Sequence, residues 1–298
     1  MSLGDALLDR CSAGGARSIV VVGTGKNVGK TVVVRTLCEA LARRNVRFGI
    51  TSVGRDGEAI DAVDAMPKPR LFLRPPTLVA TASSVLPRSP ACEMLEISKM
   101  LTAAGAITLV AVRSPAYFEL IGPPTAAGMQ TVRRRLFELG AKRVIVDGAV
   151  DRLAALAGED DAVIVSTGAA DAVTPQAAVT DVVALVTRLQ TPAYDPAREH
   201  LRVVGALTPR EAADFIAAKE TRQIVVRDPT QIALRGKALL VAAQRLELRC
   251  ERPLRVVAVT VASIGRDRYF EPREFARAVA DATKLPTFDA YAATVDAA

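Results

Sequence analysis

Two rhythms of apolar residues alternate along this chain. Short continuous runs rich in valine and isoleucine take turns with stretches in which apolar residues return at helical spacing. A run buried on both faces reads as a parallel strand, and a 3.6-residue period reads as a helix with one face on the core. Strands are expected at 18–22, 47–53, 107–112, 143–148, 162–166, 201–207, 223–226 and 255–261, with 107–112 parallel like its neighbours. Residues 68–73 read as a short strand closed by Pro75-Pro76. Helices are expected over 3–14, from the turn after the first strand to Leu41, within 77–85, and over 125–139, 175–189, 209–219 and 271–283, with a further helical start at Asp228-Pro229. Gly14-Gly15 and Gly140 are fitting helix stops, and Thr208-Pro209-Arg210-Glu211 is a capping box with proline at the first helical position. The alternation predicts an α/β fold, a mainly parallel sheet flanked by helices. Thr191-Pro192-Ala193-Tyr194-Asp195-Pro196 reads as a linker. It divides the chain into a nucleotide-binding domain, 1–192, and a C-terminal α/β extension or lobe, 193–298.

The turn between the first strand and its helix is Gly23-Thr24-Gly25-Lys26-Asn27-Val28-Gly29-Lys30-Thr31. It resembles a Walker A loop, in which backbone N–H groups and the positive end of the helix hold phosphates. The strict pattern is broken at its first position, where Thr24 stands. The resemblance makes Gly25 to Thr31 (Gly25, Lys26, Asn27, Val28, Gly29, Lys30 and Thr31) the binding segment for ATP or GTP, with a fold of the P-loop NTPase type. Lys30 would reach the β/γ-phosphates and the Thr31 hydroxyl would ligate Mg²⁺. Arg143-Val144-Ile145-Val146-Asp147-Gly148 resembles a Walker B strand, which gives Asp147 a place in the Mg²⁺ shell. The second strand runs into Gly54-Arg55-Asp56-Gly57-Glu58; Asp56, with Glu58 second, is the candidate to orient an attacking water, and an ordinary polar turn is the alternative. Residues 117–124 and Thr167-Gly168-Ala169-Ala170 follow strands at ends where ligands bind in open α/β sheets. No Asn-Lys-x-Asp guanine motif is present, so the base is left open.

Composition narrows the classes. With 298 residues, half of them hydrophobic, a sizeable core can be buried. The net charge of +7 is spread out; its densest cluster, Arg133-Arg134-Arg135, points three ways on a helix and reads as a solvated face, so no nucleic-acid partner is expected. Cys11, Cys38, Cys92 and Cys250 stand far apart and His200 is the single histidine, which offers neither a zinc motif nor a Ser/His/Asp arrangement and suits reduced thiols in the cytoplasm. Asp5, Asp9 and Arg10 interrupt any signal-peptide pattern, and no apolar run approaches a membrane span.

Two families resemble the chain. The loop Thr24 to Thr31 is similar to that of dethiobiotin synthetase-like P-loop proteins, which implies an ATP-dependent small-molecule ligase or kinase. Thr51-Ser52-Val53-Gly54-Arg55 and Asp147-Gly148-Ala149-Val150 depart from that family's substrate motifs. More of the chain is similar to the KamB-like subunits of lysine 5,6-aminomutase reactivases, through 49–58, Ile121-Gly122-Pro123-Pro124, 146–152, 165–170, 226–230 and Arg268-Tyr269-Phe270-Glu271-Pro272. This resemblance implies a nucleotide-using factor that restores an adenosylcobalamin-dependent aminomutase, with that enzyme or a second reactivase subunit as partner. A homodimer is also left open, as is a nucleotide-binding regulator without turnover.

Overall fold

The computed structural model describes residues 1–53, 70–87, 90–148 and 161–292. They form an α/β fold with mostly parallel sheets flanked by helices, divided into two compact units. Of the described residues, the first unit holds 1–21, 30–53, 70–87, 90–148 and 291–292, and the second holds 22–29 and 161–290.

The first unit begins with α1 (Leu3–Ser12), capped by Ser2 and packed on α2 (Lys30–Arg43). Asp5 holds the two helices together through Arg43 at 3.1 Å and Arg44 at 2.9 Å. Between them in sequence runs β1 (Ser18–Gly23), buried throughout. β2 (Phe48–Ser52), β3 (Leu71–Leu73), β4 (Leu78–Ala82), β5 (Cys92–Thr102), β6 (Gly105–Val112) and β7 (Ala116–Phe118) follow, then α3 (Ala126–Glu138) and β8 (Arg143–Asp147). The order within this unit is β1-β8-β2-β4-β6-β5, parallel from β1 through β4 and antiparallel from β4 onward. β3 and β7 form a separate antiparallel pair.

Three expectations need correction in this unit. Residues 77–85 do not form the expected helix: β4 takes 78–82, a single 3-10 turn takes Ser83–Val85, and Thr77 precedes the strand. The segment is buried from Leu78 to Ala82 and lies between β2 and β6, so strand neighbours on both sides outweigh a local pattern that suits a helix. β6 is a buried strand as expected but runs antiparallel, because β4 precedes it and β5 joins it by the short turn at Ala103 and Ala104. β5 itself has no counterpart in the sequence reading. It is an edge strand with interspersed charges, Glu93 paired with Arg113 and Glu96 with Arg135. The triple arginine is accordingly more than a solvated face: Arg133 also donates to the Ser18 hydroxyl at 2.7 Å.

The second unit contains β9 (Asp161–Gly168), α4 (Pro175–Leu189), β10 (His200–Arg202), α5 (Pro209–Ala217), β11 (Gln223–Val226), α6 (Gly236–Arg245), β12 (Glu247–Cys250), β13 (Arg255–Ala262), α7 (Pro272–Thr283) and β14 (Thr287–Asp289). β14-β13-β9 form one parallel set, with α4 and α7 packed on it. β10-β11-β12 form a second parallel sheet, whose core gathers Leu207, Ile224, Val226, Leu239, Leu246 and Leu248. The Thr208 capping box forms with both of its hydrogen bonds. The strand expected over 201–207 is shorter, Asp228-Pro229 opens only a single 3-10 turn, and α6, β12 and β14 were not anticipated.

Candidate functional site

The glycine-rich turn leaves β1 at Gly23 and enters α2 at Lys30. In the second unit its first half is pinned by β9: the Thr24 N–H donates to the Ser166 carbonyl at 2.9 Å, and the Thr24 hydroxyl donates to the Thr167 hydroxyl at 3.3 Å. Lys26 and Asn27 are exposed at the tip, while Val28, 1% exposed, is buried beneath it. Two residues take left-handed backbone, Asn27 at φ 58° and Gly29 at φ 89°. Asparagine and glycine are the residues that reach this region at least cost, and alternating backbone hands turn successive N–H groups toward one side. At Gly29 space is also short, since a β-carbon would lie 3.2 Å from that of Ala262.

Backbones approach closely around this turn. A β-carbon on Gly168 would come 2.7 Å from the Ala262 carbonyl oxygen and 3.4 Å from the Val28 α-carbon. One on Gly265 would come 2.9 Å from the Ala169 carbonyl carbon. Beside them Ser263 is 2% exposed, and its hydroxyl has no hydrogen-bond partner among the described residues. Thr167 and Gly168, read from the sequence as a turn, are the last residues of β9, and the turn begins at Ala169. Asp171 follows, exposed, with its carboxylate against Gly25: a β-carbon there would lie 2.0 Å from Asp171 Oδ1 and 2.2 Å from Oδ2. Sequence reasoning missed Asp171 and Ser263, since each is a common loop residue identified only by what packs on it.

In the first unit, Lys30 and Thr31 open α2, both partly buried. Asp147 ends β8 in register with Val21 of β1 and Ser52 of β2. Its backbone is held from both sides: the Val53 N–H donates to the Asp147 carbonyl, and the Gly148 N–H to the Val21 carbonyl, each at 2.9 Å. The Asp147 charge reaches α2, where the Cys38 thiol is pushed far up by burial, then by the charges of Glu39 and Asp147. Asp56 and Glu58 lie outside the described residues.

Tyr117 and Phe118, expected in a loop, belong to β7; residues 119–122 after it are strapped to the carboxyl ends of β2 and β4, not to that of β6, whose reversed direction puts its end beside Thr77. Ser52 Oγ donates to the Leu120 carbonyl and accepts from the Gly122 N–H, both at 3.1 Å; Thr81 Oγ1 donates to the Glu119 carbonyl and accepts from the Ile121 N–H. In the second unit a cleft of about 500 Å³ is lined by Thr187, Leu239, Leu246, Glu247, Leu248 and Arg249, where Arg249 pairs with Glu247 at 2.8 Å. Among the described residues no three histidine, cysteine or acidic side chains gather as a metal cluster, and no helix is long and apolar enough to cross a membrane.

Compared with protein families, with characterised proteins and with solved structures, the chain matches none.

Proposed function

We propose that the chain is a Mg²⁺-dependent P-loop nucleotide-binding protein, an ATP- or GTP-hydrolysing factor that reactivates an adenosylcobalamin-dependent aminomutase. One observation carries the nucleotide part. A fully buried strand passes through a turn with left-handed Asn27 and Gly29 directly into a helix that begins at Lys30 and Thr31. That is the backbone a phosphate cradle needs: left-handed residues that turn successive N–H groups toward one side, followed by a helix N-terminus. The aminomutase part rests on the sequence resemblance alone.

The donor set fits a hard divalent cation, since the Thr31 hydroxyl and the Asp147 carboxylate both offer oxygen. Bound there, Mg²⁺ would neutralise charge on the phosphate oxygens. The chain's own groups have distinct tasks. The loop amides and Lys30 hold the phosphates, Thr31 and Asp147 hold the ion directly or through water, and Asp56 orients the attacking water.

The deciding measurement is Mg²⁺-dependent phosphate release from ATP and from GTP, with and without an aminomutase carrying inactive cobalamin, for the native chain and for Lys30→Ala. Release that the aminomutase stimulates and that Lys30→Ala abolishes while staying folded supports the proposal. Unchanged release by Lys30→Ala overturns the phosphate-loop assignment. Nucleotide binding with release stimulated only by a small-molecule acceptor overturns the reactivase part and selects the ligase or kinase reading.

A further inference from the structure

Asp171 lies against the turn, where its charge bears on the approach of an anion. The segment 168–172 is anchored on both sides: the Ala169 N–H donates to the Ala262 carbonyl at 2.9 Å, the Asp171 N–H donates to the Gly168 carbonyl at 3.2 Å, and Ala169 and Ala172 are buried. Gly265 presses on the backbone of Ala169 and Ala170 from behind. The outward residue is Asp171, and its carboxylate covers the α-carbon of Gly25 so closely that all three of its terminal atoms lie 2.0–2.2 Å from where a β-carbon would stand. Its charge is also felt on α4, where burial and then Asp171 raise the pKa of Asp181. Nature of the contact and nature of the ligand therefore conflict: a negative group rests on a turn shaped to receive negative groups.

Building on the nucleotide reading, we infer that Asp171 makes the turn discriminate by charge, admitting a nucleotide whose phosphates are neutralised by a divalent cation and repelling the same nucleotide without one. Like charges a few ångströms apart at a partly exposed site oppose each other by enough to change affinity about tenfold. The effect scales with ligand charge, so metal-free ATP is disfavoured most, metal-free ADP less and Mg²⁺-ATP least.

The test is calorimetric titration of the native chain, Asp171→Asn and Asp171→Ala with ATP in chelator, ADP in chelator and Mg²⁺-ATP, at low and at raised ionic strength. Both variants should bind metal-free ATP about tenfold tighter, metal-free ADP with a smaller gain and Mg²⁺-ATP nearly unchanged, and the gain should shrink as salt screens it. A thermal melt of each variant checks that the fold is kept. Native binding of Mg²⁺-ATP with no gain for metal-free ATP in either variant overturns the charge discrimination and leaves the nucleotide reading standing. An equal gain for all three ligands, unaffected by salt, makes the contact steric and also overturns it. Absence of nucleotide binding by all three chains overturns both.

Discussion

Gly122 lies so close to Ser52 that a β-carbon added to it would come within 1.6 Å of the Ser52 carbonyl oxygen. Its N–H donates to the Ser52 hydroxyl at 3.1 Å, so backbone and side chain of one residue clasp the backbone of the other. This clasp fixes the carboxyl end of β2, from which the chain continues toward Asp56. The obstacle is backbone in a buried strand, which cannot swing aside. Gly122→Ala should therefore destabilise the protein by at least about 2 kcal/mol, as overpacking against fixed atoms does. Denaturant unfolding checks this; a midpoint within error of the native one would refute the close approach.

Thiol accessibility gives a second prediction. Cys11, Cys38 and Cys250 are buried and Cys92 is half-buried on the edge strand β5. Burial pushes the Cys250 thiol up to about 12, raises Cys38 further and raises Cys92 as well. Since the thiolate is the reactive form, a thiol reagent should modify the native protein slowly and at Cys92 first, with all four reacting only in denaturant. Peptide mapping after limited labelling identifies the site.

Acid dependence follows from Glu220. It accepts from the Arg222 side chain at 2.7 and 2.9 Å and from the backbone N–H groups of Arg222 and Thr221 at 3.0 Å. The Arg222 side chain first, then its backbone, pulls the carboxyl from its ordinary 4.5 to about 2. A depressed pKa in the folded state means the contribution is full above pH 4.5 and is lost as the pH falls toward 2. Glu220→Gln should flatten the pH dependence of unfolding in that window and leave its slope above pH 5 unchanged, as seen by urea unfolding across a pH series.

The Ser263 hydroxyl yields an unusual expectation. It has no hydrogen-bond partner among the described residues, and a buried polar group without one costs free energy, so Ser263→Ala should leave stability unchanged or raise it by up to about 1 kcal/mol. If the melting temperature falls by several degrees, the hydroxyl has a partner in solution. The same variant tested for nucleotide affinity shows whether that partner is the ligand.

Much of the organisation was legible because it is local. Thr208 caps α5 as its capping box says it should, and Gly140 stops α3 at φ 97° as a residue without a β-carbon can. β1, β8, β9 and β13 are buried on both faces and so appear as unbroken apolar runs. Lys30, Thr31 and Asp147 stand where the pattern puts them, the first two opening α2 and the third ending β8, because each sits at a fixed offset from a strand or helix that the pattern itself announces.

The sequence alone determined the alternation of strand and helix, the glycine-rich turn after β1 and the Thr208 capping box, since these depend on residues a few places apart. The tertiary structure alone decided the direction of β4 and β6, the edge strand β5 and the contact of Asp171 with Gly25. An apolar run has the same composition whichever way its neighbour points, and a half-exposed edge strand takes its identity from the partner it pairs with. Gly25 and Asp171 are far apart in the chain and carry no shared pattern; only the turn after β9, held by Ala262, brings them into contact.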